Sequence, residues 1–441
     1  MLSGSALHAG LWAEPEAGAL FGDAAEIAAM IRVEAALARV QGRLGVIPAD
    51  AAEALAAYLD RAQVAPAALA AATARDGVPV PGLVAVLRSG CPDPVAAGYL
   101  HWGATSQDIL DTALALRLKG LMQVWWLQTR RLLMALADLA EAEAETPMAA
   151  RTYGQDAVPT TFGAVVAGWG WGVITATDDQ PAVWALVTRV SLSGAAGTLA
   201  AMGPAGPAVR AALAEELQLG DPGHAWHSAR DGIAGLAGWA GVLAGALGKL
   251  AEDVHLMAQS GLAEVAITGS GGSSTMPQKQ NPVPAAVLAA LARHVLALVP
   301  AVQSAAIHRQ QRDGAAWFGE WLALPPLCLA LSRALGLALD LVQRLKPDPE
   351  AMARPLTAPP ALIHAEALAF ALAARMPRPE AAAESAALCR QAQAEGRALP
   401  DVARAAHPWL GAFAPDTGQA PTEARAFAEA AREAAHDLWT C

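Results

Sequence analysis

Residues 268–284 read TGSGGSSTMPQKQNPVP. These residue types suit one task, holding a small anion beside a hydroxyl. Gly269, Gly271 and Gly272 can take positive φ, so that successive N–H groups point at one anion. Ser273, Ser274 and Thr275 add hydroxyls, and Lys279 adds a cation. Asn281 is a good N-cap and Pro282 suits a first helical position, which would bring the positive end of a helix to the same point. The stretch is read as a mobile anion-binding loop carrying a hydroxyl nucleophile or base. Composition alone leaves a second reading open, a solvated Gly/Ser linker ahead of a helix.

Long helices must carry such a loop. Leu114, Leu118, Leu121, Trp125, Leu132, Leu136 and Leu139 keep a three/four spacing over about seven turns. Ile233, Leu236, Leu243, Leu247, Leu250, Val254 and Met257 repeat the pattern, and a third helix is expected from Pro284 to about Gln311. Residues 26–44 form another, stopped by Gly45 and Pro48. Helices of this length imply a long bundle. No stretch alternates as a strand. Pro347 and Pro349 mark a linker before a small helical region. The expected fold is all-α with three helical domains. These are residues 1–108, a central long-helix bundle over 109–346 bearing the loop 268–284, and 347–441.

Composition narrows the function. Of 441 residues, 54% are hydrophobic and 16% charged, which suits helices that bury more than one face. The net charge is −11 with no block of Lys or Arg, so nucleic acid is not an expected partner. Gly, Trp, Arg and Asp are expected to cut the apolar stretches short of a membrane span. No signal peptide is read after Met1. Cys91, Cys328, Cys389 and Cys441 are scattered without metal-ligand spacing, so reduced thiols in a cytoplasm are expected.

The string Gly272-Ser273-Ser274-Thr275-Met276-Pro277-Gln278-Lys279-Gln280-Asn281 resembles the signature loop of the fumarase/aspartase superfamily, G-S-x-x-M-x-x-K-x-N, at every fixed position. HWGATSQDILDTA (101–113) and RTYGQDAVPTTFG (151–163) resemble its other two regions, in the expected order. SLSGAAGTLAAMG and AWHSARDGIA are also similar to stretches of that group. The resemblance implies a homotetramer of long helices, with each active site drawn from three subunits, and no cofactor or metal. The implied chemistry removes a proton beside a carboxylate and expels a group from the neighbouring carbon. Carried over by motif position, Ser273 is the base, and Lys279 and Asn281 hold a substrate carboxylate. Thr105, Ser106, Thr152, Gln155 and Ser274 bind the other polar groups of a small polycarboxylate. Met276 is read as loop packing.

Within the superfamily, members that expel poor leaving groups commonly use a histidine acid. Here Tyr153 stands where adenylosuccinate lyases have the histidine of R-T-H. A carboxylate leaving group, with a pKa of about 4, needs no such donor. HWGATSQDILDT, WHSARD and WFGEWLALP are most similar to the 3-carboxy-cis,cis-muconate cycloisomerases. Those proteins often carry a histidine where this chain has Asp156, and H-K-R where it has Gln278-Lys279-Gln280. A C–N lyase of the adenylosuccinate/argininosuccinate type and a catalytically silent helical scaffold are the alternatives. Other assignments stay open. His101 is a substrate ligand or a proton-transfer group. His227 and Arg230 either bind carboxylate or form a structural ion pair with Asp231. Tyr153 is a weak acid or a pocket wall. Asp108 caps its helix or takes part in catalysis, and the first of these is preferred.

Overall fold

A computed structural model of the chain describes residues 5–269, 271–272, 275–411 and 416–440, with side chains in the last segment to 436. Seven long helices dominate the described residues. They are α1 (Asp23–Arg43), α2 (Ser106–Ala142), α3 (Phe162–Val187), α4 (Asp231–Met257), α5 (Val283–Ser304), α6 (Gly314–Arg344) and α7 (Ala420–Thr440). α2, at 37 residues, is roughly 55 Å long. α1 places Asp23 and Glu26 in its first turn and Arg43 in its last, matching the helix dipole at both ends. Gly45 follows with φ 70°, a left-handed turn that glycine takes without strain.

The fold is all-α, as expected, with three small two-stranded patches. β1 (Pro147–Thr152) pairs antiparallel with β2 (Gln155–Thr161). β3 (Val265–Ile267) pairs with β6 (Leu345–Pro347), and β4 (Gly271–Gly272) with β5 (Gln280–Asn281). None of these strands was expected. β1 and β2 are half-buried without strict alternation, so no period of two marks them.

By contacts the chain forms two compact units. Unit 1 is Met1–Leu127, Asp178–Ala244 and Leu291–Ala334, and unit 2 is Gln128–Thr177, Gly245–Ala290 and Leu335–Cys441. In unit 1, α1 packs Met30, Leu37 and Val40 among Leu55, Leu83, Leu100, Ile109 and Leu213. Trp125 of α2 lies 5.8 Å from Trp184 and 5.4 Å from Trp239 between ring centroids, and its Nε1 donates to Ser332 Oγ at 2.6 Å. This tryptophan is core, buried with its polar atom satisfied.

In unit 2, Trp169 packs edge-on against Phe162 and donates Nε1–H to Asp253 Oδ2 at 2.8 Å. A separate apolar cluster gathers Leu368, Leu372, Leu388, Leu399 and Val402. α3 closes on α2 through Gly163, where a Cβ would sit 2.5 Å from Ala140 O and 2.8 Å from Ala144 Cα. That approach accounts for the glycine at the end of TTFG, since only a hydrogen fits against the backbone.

One expectation from composition is corrected. α4, α5 and α6 are each long and apolar enough to cross a membrane. The few charged residues, such as Arg293 in the middle of α5, and the Gly and Trp residues lower the hydropathy too little to break these apolar runs. Between 44% and 61% of these windows is buried within the chain itself.

Gly163→Ala is expected to lower stability by about 1–3 kcal/mol, because backbone rather than a mobile side chain must give way. Urea denaturation followed by circular dichroism measures it, and an unchanged midpoint would contradict the close approach.

Candidate active site

The first turns of α2 carry Gln107, Asp108, Asp111 and Thr112, all buried. Buried polar groups require partners, and here most partners come from distant segments. Asp108 Oδ2 accepts from Thr105 N at 3.0 Å, the return half of a capping box, and from Gly194 N at 2.9 Å. Its Oδ1 accepts from Ser193 N at 2.9 Å and His227 Nε2 at 2.7 Å. The preferred capping role of Asp108 therefore extends to a four-donor hub.

Arg230 donates to Asp111 at 2.8 and 3.1 Å and to Glu320 Oε2 at 2.8 Å. Its guanidinium carbon lies 4.7 Å from the Trp226 ring centroid. Burial pushes the Glu320 carboxyl up and the Asp111 charge adds to that, against the pull of Arg230. Thr112 Oγ1 donates to Ser191 O at 3.0 Å and accepts from Ser191 N at 2.8 Å. Gln107 Nε2 donates to His227 O at 2.9 Å.

Four sequence stretches thus converge in unit 1: HWGATSQDILDT, SLSG, AWHSARD and WFGEW. His227 and Arg230 are both held by buried carboxylates, and the ion-pair partners differ from the one anticipated. Asp231 is instead 61% exposed and lies 3.7 Å from Arg189. Its backbone starts α4, which turns its side chain outward.

In front of this frame, the turn before α2 presents His101 and Thr105, and α2 opens on Ser106. His101 takes φ 65°, a left-handed conformation that costs a histidine energy. Its Nδ1 meets Glu34 Oε1 at 2.6 Å. Gln41 Nε2 donates to Trp102 O at 2.8 Å, and Arg312 Nη2 donates to Thr105 Oγ1 at 3.0 Å. Burial pulls the His101 pKa down, but the bond to Glu34 and the charges of Glu34 and Asp108 outweigh it, with Arg88 opposing, so the net direction is up. Sequence reading missed Glu34, Gln41 and Arg312. The first two were detectable as polar residues seven apart on an otherwise apolar helix face.

Unit 2 carries the other two motif regions. Tyr153 and Gly154 both have positive φ, 53° and 73°, between paired Thr152 and Gln155. This is the geometry of a two-residue hairpin turn of type I′. Tyr153 is fully exposed at the tip, and Thr152 and Gln155 beside it are exposed too. Arg151 anchors the hairpin with two bonds to buried Glu264, at 2.8 and 2.7 Å, and one to Asp156 at 3.0 Å. Asp156 faces Arg151 in the strand register, so the departure at this position is absorbed into a cross-strand ion pair.

At the signature loop, Gly271 pairs with Asn281 and Gly272 with Gln280, closing a neck. Ser273 and Ser274 lie outside the described residues. Lys279 is exposed, and its N–H donates to Met276 O at 3.0 Å. Asn281 is half-buried in β5. α5 starts at Val283, with Pro282 O accepting from Ala286 N at 3.1 Å, because the Asn281 backbone is taken by β4.

The chain matches the lyase family over residues 15–297. It is 39% identical to a 3-carboxy-cis,cis-muconate cycloisomerase of Pseudomonas aeruginosa, over 86% of this chain and 84% of that protein. It is 35% identical to a nitrosuccinate lyase of Streptomyces davaonensis, over 87% and 84% of the respective chains. The crystal structure of the 3-carboxy-cis,cis-muconate lactonizing enzyme from Pseudomonas putida superposes with a TM-score of 0.89 at 31% identity, covering 97% of this chain and 99% of that one.

Arg230→Met is expected to destabilise the protein by about 3–5 kcal/mol, since it strands two buried carboxylates. A urea titration measures the loss. A cost near zero would mean that the cluster does not hold the four stretches together.

Proposed function

We propose, for a chain that belongs to the lyase family, the activity of a cofactor-free 3-carboxy-cis,cis-muconate cycloisomerase. The observation that carries this reading is the 39% identity to such an enzyme, spread over 86% of the chain. In the ring-opening direction a base takes the proton beside a carboxylate of the lactone. The electron pair left on carbon forms the C=C bond, the ring C–O bond breaks, and its electrons leave as a second carboxylate. Ring closure is the reverse. The leaving carboxylate has a pKa of about 4, so no acid must protonate it.

In this reading Ser273 is the base. Lys279 and the start of α5 favour its alkoxide and the carboxylate beside the reacting carbon, at the end of the neck that β4 and β5 close. Asn281 and Ser274 bind at the same end. Thr105 and Ser106, with Thr152 and Gln155, take the remaining carboxylates. His101 supplies a cation or moves a proton. Arg312, bonded to Thr105 Oγ1, adds a positive charge beside that hydroxyl. Arg230 and His227 act from behind by fixing α2. Tyr153 is a wall rather than an acid, which suits a reaction needing no donor.

The assembly belongs to the same proposal. A homotetramer would give the exposed Tyr153 and the exposed Val242, Leu256, Leu296 and Leu322 a place to pack. It would also bring motif regions of three subunits into each site. The three-domain division at 108/109 and 346/347 and a cytoplasmic location go with it. Cys91, Cys328 and Cys389 are free thiols, which supports a reducing compartment. A second reading, elimination from a substituted succinate, is favoured by the relative named nitrosuccinate lyase and by the changed residues Asp156, Gln278 and Gln280.

Purified protein is expected to change the ultraviolet absorbance of 3-carboxy-cis,cis-muconate, and Ser273→Ala to lose this by at least about a hundredfold. Turnover of nitrosuccinate alone would move the assignment to the second reading. Tyr153→Phe is expected to keep kcat within about threefold of wild type. A hundredfold loss there would make the phenol a catalytic acid.

A further inference from the structure

We propose that Glu34 is a positioning residue for this reaction. It holds the proton of His101 on Nδ1 and so turns Nε2 toward the substrate as the working nitrogen. The assignment rests on the reading of His101 as a site residue, but its physical basis is separate from the identity of the substrate.

Three observations carry it. Glu34 is a carboxylate 1% exposed on an otherwise apolar face of α1, and a buried charge is retained only at a cost unless it is paired. Its described partner is His101 Nδ1, at 2.6 Å, through Oε1, while Oε2 has none. The histidine meets it by adopting φ 65°, so the backbone accepts strain to bring the ring to that carboxylate. Gln41, two turns further along the same helix, fixes the next carbonyl, Trp102 O. α1 therefore grips the turn at two adjacent residues. The His101 side chain keeps 18% of its surface open, and no described residue hydrogen-bonds Nε2.

A carboxylate can only accept, so Nδ1 must carry a proton in either charge state of the ring. That leaves Nε2 to give or take a proton, or, when the ring is charged, to donate to a substrate carboxylate. The groups acting on the ring are Glu34 from α1, Asp108 from α2 and Arg88 from the helix Val80–Gly90. Arg88 is itself held by a bond from Nη2 to Leu100 O at 2.9 Å. Two acidic groups against one basic group favour the imidazolium, the form that attracts a polycarboxylate. The sign follows. His101 is charged below its raised pKa, and this attraction fades as pH rises through that value.

The test pairs a substrate-free readout with turnover, in wild type, Glu34→Gln, Glu34→Ala and His101→Gln. Histidine Cε1–H NMR gives the titration, with His101 identified by the resonance lost in His101→Gln. His101 is expected to titrate above the ordinary value of about 6.5 in wild type and about one to three units lower in Glu34→Gln. In turnover of 3-carboxy-cis,cis-muconate, Glu34→Gln is expected to raise KM about tenfold at pH 8 with a smaller effect on kcat, and to regain affinity at low pH. Glu34→Ala, which loses orientation as well as charge, is expected not to recover at low pH. Added to His101→Gln, Glu34→Gln is expected to cost nothing more.

A His101 titration unmoved by Glu34→Gln would overturn the proposal. So would a loss of activity in Glu34→Gln that is equal at all pH values and additive with His101→Gln, which is the mark of a merely structural residue. If wild type leaves 3-carboxy-cis,cis-muconate unchanged, the assigned reaction fails, while the titration still decides the role of Glu34.

Discussion

Carboxylates buried at the start of α2 set the geometry on which the rest of unit 1 depends. Asp108 accepts four donors, three of them backbone N–H groups, and Asp111 shares Arg230 with Glu320. Apart from the local bond from Thr105 N, these contacts tie α2 to segments remote in sequence. Removing water from charged groups is costly, and the cost is recovered only when every lone pair and proton is matched. With this arrangement, the turn bearing His101 and Thr105 is fixed from behind and gripped by Glu34 and Gln41. Without it, the polar segments would have no reason to meet.

Much of this was legible in the chain. The apolar spacing of α2 and α4 located both helices to within a few residues at most ends. The G-S-x-x-M-x-x-K-x-N string located the loop. What stayed hidden had physical causes. The hairpin lacked strict alternation, and its turn is Tyr153-Gly154 where Asn-Gly or Asp-Gly would be the usual signal. α3 was masked by its glycines, tryptophans and internal Pro181. The partners of Arg230 could not be read locally. Asp231 is its neighbour in sequence but points outward, while Asp111 lies 119 positions away.

The motif residues divide into two kinds of work. Asp108, Asp111, His227 and Arg230 form an internal frame, and their side chains are spent on one another. His101, Thr105, Tyr153, Gln155 and Lys279 are partly or fully open, and the proposed function assigns contact with a ligand to them. Short motifs often mix the two kinds, because a reactive group is useful only when its backbone is held. The departures at Asp156, Gln278 and Gln280 fall outside the frame. Asp156 is neutralised by Arg151, and the two glutamines flank the exposed Lys279.

The central claim is that the buried frame stays intact while the open residues do the binding. A crystal structure with a bound tricarboxylate tests it most directly. The account predicts ligand carboxylates within hydrogen-bonding distance of His101 Nε2 and Thr105 Oγ1, with Arg230 still on Asp111 and Glu320 and His227 still on Asp108. A ligand seated on Arg230 or His227, with those pairs broken, would contradict it.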